Sequence, residues 1–116
     1  MNKKVLIVED DQLLAYLMES YAINCGLNVI GNVDNGKDAI LIAANELPDY
    51  ILMDIRIEGD IDGIETATLI NEKNNIKIIY ISGNSDEQTY SRAQKTNMLA
   101  FLIKPIKQID LMKYLN

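Results

Sequence analysis

With 116 residues, 48% of them hydrophobic and 24% charged, the chain fits one globular domain with a real core and little left over for a second module. A formal net charge of -6 argues against a basic face for nucleic-acid phosphates, and no apolar run approaches the roughly twenty residues of a membrane span, so a cytoplasmic protein with no direct contact to nucleic acid or membrane is expected. Histidine is absent and Cys25 is the only cysteine, which removes Ser-His and Cys-His catalysis, internal disulfides and His-ligated metals.

Residues 5–8, Val-Leu-Ile-Val, form a continuous aliphatic run, the mark of a strand covered on both faces. Three acids follow, Glu9, Asp10 and Asp11, whose plainest role is to cap the next helix and complement its dipole. Over residues 11–25, Leu13, Leu14, Leu17, Met18, Tyr21, Ala22 and Cys25 recur at spacings of three and four; all are expected to face inward, with Cys25 a small buried hydrophobe and Gly26 the stop. Residues 27–33 dilute a strand pattern with Asn28, Gly31 and Asn32, which suits a sheet edge. Asn35-Gly36 then turns into a helix over 37–47, with Ala39, Ile40, Ala43 and Leu47 inward and Pro48 closing it.

Residues 50–54, Tyr-Ile-Leu-Met-Asp, are the pivot of the chain. A parallel strand buried on both faces has to be apolar, so an acid at its last position stands where the strand leaves the sheet, in the crevice that open α/β folds use for ligands. Taken alone, Asp54 could equally begin a turn. Ile64, Ala67 and Ile70 mark a third helix, and residues 76–81 a fourth, almost wholly apolar strand that ends in Ser82-Gly83-Asn84-Ser85. In the helix over 86–96 only Tyr90 and Ala93 are able to pack, which makes it the most loosely held element. A fifth strand over 99–103 runs into Lys104-Pro105, then a short last helix with Ile106, Ile109, Met112 and Leu115 inward.

Five strand-helix repeats without a hairpin signal predict a single α/β domain, a doubly wound, flavodoxin-like sandwich around a parallel five-stranded sheet. The first, third and fourth strands are the most apolar and belong in the centre, giving the order 2-1-3-4-5. All strand C-termini then open on one edge, so Glu9, Asp10, Asp54, Ser82 and Lys104 share a crevice despite their distance in sequence. Carboxylates brought together repel one another, and a divalent cation relieves that; with oxygen ligands alone, Mg²⁺ fits, with Mn²⁺ as the alternative. A carboxylate beside Mg²⁺ can act as a nucleophile toward phosphorus, with a hydroxyl and a lysine opposite to hold the transferred oxygens.

In these motifs the chain resembles a response-regulator receiver domain of two-component signalling. The resemblance runs from Val-Glu-Asp-Asp after the first strand, through Leu-Met-Asp-Ile-Arg and the Asp-Gly-Ile-Glu opening the third helix, to Phe-Leu-Ile-Lys-Pro at the fifth strand, and takes residues 1–116 as one receiver domain. It implies that Asp54 accepts phosphate from a histidine kinase or phosphotransfer protein, as a phosphoacceptor and not a turnover enzyme. By the same resemblance Asp10 is a direct metal ligand, Glu9 acts through water and the Arg56 backbone carbonyl completes the protein ligands. Ser82 and Lys104 hold the phosphoryl group, Ser82 and Phe101 form the switch, and Pro105 follows a cis peptide bond. Output is then expected on the face made by the fourth helix, fifth strand and last helix, where a downstream partner or a weak homodimer would form.

Some residues depart from the family pattern. Glu9 stands where Asp is commoner, Gly83 where Ala is usual, and the loop 55–61 lacks the usual proline and is one residue longer. Asp60 and Asp62 are better read as loop and capping residues than as ligands. The short last helix fits a domain excised from a longer chain. A dehalogenase-type phosphohydrolase needs a second Asp where Arg56 stands, and a flavodoxin needs a phosphate loop where Glu9, Asp10 and Asp11 would repel one. A degenerate receiver acting only as an interaction module is the remaining alternative, and the acids, hydroxyl and lysine all being present speak against it.

Overall fold

A computed structural model of the chain describes residues 2–115. Five strands, β1 (Lys4–Val8), β2 (Asn28–Val33), β3 (Tyr50–Asp54), β4 (Lys77–Ser82) and β5 (Met98–Ile103), alternate with five helices, α1 (Gln12–Asn24), α2 (Gly36–Glu46), α3 (Gly63–Asn71), α4 (Glu87–Gln94) and α5 (Gln108–Met112). The strands form one sheet in the order β2-β1-β3-β4-β5, with every neighbouring pair parallel. This is the doubly wound architecture expected from the strand-helix alternation.

The reason lies in the strand sequences. In β1, β3 and β4 successive residues point to opposite faces, and both sets are apolar, so each strand can be covered on both sides. Leu6, Val8, Ile51, Met53, Ile78 and Tyr80 pack against Ala39 and Ala43 of α2, Ile64, Ala67 and Ile70 of α3, and Ala93 of α4. Val5, Ile7, Tyr50, Leu52, Ile79 and Ile81 pack on the other face against Met18 and Ala22 of α1 and Leu111 of α5. Burying each such aliphatic side chain is worth about 1.5–3 kcal/mol, which fixes the three central strands far more firmly than local propensity could.

Each of the first four helices opens on an acid or amide cap. Asp11 accepts from the Leu13 and Leu14 N–H groups, Asn35 from Asp38, Asp62 from Glu65 and Asp86 from Thr89. Leu47, expected inside, is the α2 C-cap in a left-handed conformation (φ 49°) and is exposed.

Two helix faces differ from expectation. In α1 the buried side chains are Ala15, Met18 and Ala22, while Leu13 is 70% exposed and Leu17 also points outward. At 3.6 residues per turn Leu13 falls opposite the Ala15–Met18–Ala22 line, and the smaller residues win because they let the helix approach the sheet. Cys25 is half-buried at the α1 C-cap, where burial pushes its thiol up from 9.0. In α5 the helix begins only at Gln108, so Ile106 is buried ahead of it and Leu111 and Leu115 carry the inward face; Ile109 and Met112 are exposed.

Candidate functional site

The strand ends bring the acids together. Glu9 extends β1, its N–H donating to the Val33 carbonyl at 2.9 Å, and Asp54 is the last residue of β3. One carboxylate oxygen each from Glu9, Asp10 and Asp54 lie within 4.8 Å of one another, with Glu9 and Asp54 buried and Asp10 exposed. Lys104, just past β5, is held there by its N–H to the Ser82 carbonyl at 2.8 Å. Its Nζ stands between the two buried acids, 3.4 Å from Glu9 Oε1 and 3.3 Å from Asp54 Oδ2.

Electrostatics within this group are strongly biased. Glu9 is 2% exposed; its Oε2 accepts from the Asp11 N–H at 3.0 Å, and among the described residues its Oε1 is faced only by the Lys104 ammonium at 3.4 Å. Burial first, and then the neighbouring Asp54 carboxylate, raise the Glu9 pKa from its ordinary 4.5 to about 7, against the opposing pull of the Asp11 N–H and Lys104. For Lys104 burial works downward, but the Asp54 and Glu9 carboxylates outweigh it and its pKa is raised. An oxygen-only donor set, with two of its three carboxylates buried and sharing one ammonium, could hold a hard divalent metal ion.

Two cavities are lined in part by these residues. One, of about 390 Å³, is lined by Asp54, Arg56, Ser82, Gly83, Asn84 and Lys104. The other, of about 480 Å³, is lined by Glu9, Asp10, Asp34 and Asp38 among others. One cavity is therefore lined by the Asp54 carboxylate together with Ser82 and Lys104, and Asp54 also belongs to a group of three acids that could hold a metal ion.

The comparisons with known proteins show the family and the fold. Residues 5–116 match the family model described as the response regulator receiver domain. The chain belongs to the response regulator receiver domain family. A solved relative, the signal receiver domain of a modulated diguanylate cyclase from Desulfovibrio desulfuricans G20, is 35% identical, superposes with a TM-score of 0.91, and is matched over 98% of this chain and 90% of that one. Among curated relatives, the transcriptional regulatory protein PdtaR of Mycobacterium tuberculosis is 28% identical over 109 residues, 94% of this chain and 53% of that protein. A protein-glutamate methylesterase/protein-glutamine glutaminase 2 of Methanospirillum hungatei is 37% identical over 106 residues, 88% of this chain and 30% of that protein. The chain thus spans about half, or less, of the length of these curated relatives.

Within this receiver domain the other residues singled out from the sequence are distributed as follows. Ser82 is buried at the end of β4 with its hydroxyl turned to its own loop, donating to the Asn84 carbonyl at 2.9 Å and accepting from the Asn84 N–H at 3.1 Å. Arg56 is exposed on the cavity beside Asp54. Phe101 is half-buried in β5 between two aromatic rings, Tyr80 at 6.1 Å and Tyr90 at 5.3 Å. The Lys104–Pro105 peptide bond is cis. Gly83 has open space where a Cβ would stand, so no contact in the receiver demands glycine there. Asp62 caps α3, as capping chemistry suggested, and Asp60 is exposed.

Three features had no single-residue signal. The Asp62–Arg92 ion pair joins α3 to α4 across 30 residues. Gly63 is pressed on the Asp54 backbone, where a Cβ would collide with the Asp54 carbonyl oxygen and lie 2.9 Å from Ile55 Cα. The loop after β3 is stitched to the loop after β2 by the Glu58 N–H donating to the Asp34 carbonyl at 3.1 Å. Loop length without a proline hinted at the last of these only.

Glu9 is expected to make the stability of the metal-free receiver depend on pH. Its folded pKa of about 7 lies above 4.5, so between those values the folded state binds more protons than the unfolded state and stability falls as pH rises. The expected loss is about 1–3 kcal/mol across that window. Urea unfolding in EDTA at pH 5 and pH 8 should show it in the wild type and not in Glu9→Gln; an equal fall in both would remove Glu9 as its cause.

Proposed function

We propose that this receiver accepts a phosphoryl group on Asp54 from a histidine kinase or phosphotransfer protein, in a Mg²⁺-dependent reaction, and changes conformation in response. The observation that carries the reading is the meeting of the Glu9, Asp10 and Asp54 carboxylates with Lys104, the Asp54 side lining a cavity that also holds Ser82.

A carboxylate oxygen of Asp54 attacks phosphorus, the bond from phosphorus to the donor imidazole nitrogen breaks, and the donor ring, protonated on its other nitrogen, keeps that electron pair and leaves as neutral imidazole. Lys104 Nζ, 3.3 Å from Asp54 Oδ2, can follow the negative charge onto the transferred phosphoryl oxygens. Ser82 exchanges its hydrogen bonds with Asn84 for one to the same oxygens. When bound, Mg²⁺ (or Mn²⁺) neutralises charge on the carboxylates and on the phosphoryl group. Asp10 and Asp54 would hold it directly, Glu9 through water, with the Arg56 backbone carbonyl as a further ligand. The added charge at Asp54 is about -1.5 to -2 with three strong acceptors. Its effect is read at Ser82, Phe101 and α4, and the exposed Tyr90, Leu99, Ile103 and Tyr114 give the α4-β5-α5 face an apolar surface for a downstream partner or a second copy.

Intact mass after incubation with acetyl phosphate tests this. One phosphoryl adduct is expected with Mg²⁺ and none in EDTA; an unmodified mass with Mg²⁺ present would leave a binding module alone. In a metal titration Asp10→Asn should weaken Mg²⁺ binding by about ten-fold, more than Glu9→Gln, because a direct ligand is lost where a water-bridged carboxylate can be partly replaced by an amide. Equal losses would remove the distinction between the two roles, and a larger loss in Glu9→Gln would reverse them.

A further inference from the structure

Helix α4 is held by few groups. Ala93 is its buried residue, and Tyr90, 39% exposed, rests edge-on against Phe101. A third tether comes from the opposite side, where Arg92 Nη2 donates to Asp62 Oδ2 at 2.9 Å. Asp62 is no freely rotating surface acid. Its Oδ1 accepts from the Glu65 N–H at 2.8 Å, its own N–H donates to Glu65 Oε1 at 3.0 Å, and its carbonyl accepts from Thr66 Oγ1 at 2.8 Å. The carboxylate is therefore in place before Arg92 reaches it, which removes half of the side-chain entropy that makes exposed ion pairs weak.

The same cap is joined to the candidate acceptor. One residue on, the Gly63 N–H donates to the Ile55 carbonyl at 2.7 Å, and Gly63 lies against the Asp54 backbone with no room for a Cβ. The Asp54 peptide, the first turn of α3, Asp62, Arg92 and α4 form one contiguous line of contacts. Because Gly63 is already in contact, the Asp54 peptide cannot move toward α3 without moving its cap.

We infer that the Arg92–Asp62 pair is a latch that holds α4 in place in the unphosphorylated receiver, and that events at Asp54 reach α4 through Gly63 and Asp62 as well as through Ser82 and Phe101. The second half rests on Asp54 being the phosphoacceptor; the first does not. Arg92 acts here as a positioning residue, and its ion pair is with Asp62, so its removal takes no ion pair from Lys104 or from the acid cluster.

Hydrogen exchange over residues 87–94 tests the latch in the unmodified protein in EDTA. Arg92→Gln and Asp62→Asn should each speed exchange about two- to five-fold, the range an ion pair with one prefixed partner supports; Asn keeps the capping oxygen, so α3 stays intact. The double variant should exchange no faster than either single, because both break one contact. Unchanged exchange in the singles, or a double effect equal to their product, overturns the latch. With acetyl phosphate and Mg²⁺, the phosphorylation-dependent rise over 87–94 should be smaller in Arg92→Gln than in the wild type, and equal rises overturn the coupling. Absence of any phosphoryl adduct would overturn the acceptor reading and the coupling with it, and the latch would be judged on the exchange of the unmodified variants.

Discussion

Replacing Lys104 by methionine is expected to destabilise the metal-free protein by about 2–3 kcal/mol at pH 8. Methionine keeps most of the aliphatic stem, so packing changes little and the charge is what disappears. Its loss leaves Glu9 and Asp54, 2% and 4% exposed, as two buried carboxylates with no cation between them. Removing one partner from a buried ion pair costs about 3–5 kcal/mol, and the partial exposure of Lys104 lowers that figure here. The raised pKa of Lys104 means that its contribution is complete below 10.5 and is lost only as pH climbs through the folded value, so pH 8 shows the whole effect. At pH 5 Glu9 carries a proton and the loss should shrink, and saturating Mg²⁺ should restore part of it at pH 8. Urea unfolding under these three conditions checks the account. A loss of the same size at both pH values would assign it to packing.

Gly63→Ala should cost about 3 kcal/mol, at the upper end of overpacking effects. The new methyl group would meet the Asp54 carbonyl oxygen, Ile55 Cα and Met53 Cγ, the first two of them backbone, so no side-chain rotation can relieve it. The stabilisation of roughly 0.4–1 kcal/mol that Gly→Ala brings through the unfolded chain is too small to compensate. Relief requires α3 to move away from β3, which shifts the peptide that carries Asp54. The variant should therefore also bind Mg²⁺ more weakly in whatever fraction folds. A melting temperature within a degree of the wild type would show that the α3 start is not packed as described.

Much of this arrangement was legible in the sequence because parallel strands impose a strong pattern. Val5-Leu6-Ile7-Val8, Tyr50-Ile51-Leu52-Met53 and Ile78-Ile79-Tyr80-Ile81 are apolar at every position, and only a strand covered on both faces requires that. Once the strands are parallel, Glu9, Asp10, Asp54, Ser82 and Lys104 have to lie at one edge, whatever separates them in sequence. Helix faces were less legible. Leu13 and Ile109 obey helical spacing as well as their buried neighbours do, and only the seating of α1 and α5 on the sheet decides that Ala15 and Leu111 go inside instead. Contacts between side chains of distant elements left no trace at all. Arg92 reads as an ordinary surface charge, Gly63 as an ordinary helix-opening glycine, and the burial of Glu9 against Lys104 depends on how β1, β3 and β5 come together.

Asp54 is the residue proposed to be modified, being the carboxylate grouped with Glu9 and Asp10 on one side and facing Lys104 and the Ser82 cavity on the other. Intact mass of Asp54→Asn beside the wild type, each incubated with acetyl phosphate and Mg²⁺, measures this most directly. The wild type should gain the mass of one phosphoryl group and Asp54→Asn should remain unmodified, whereas an adduct of the same size persisting in Asp54→Asn would contradict the account.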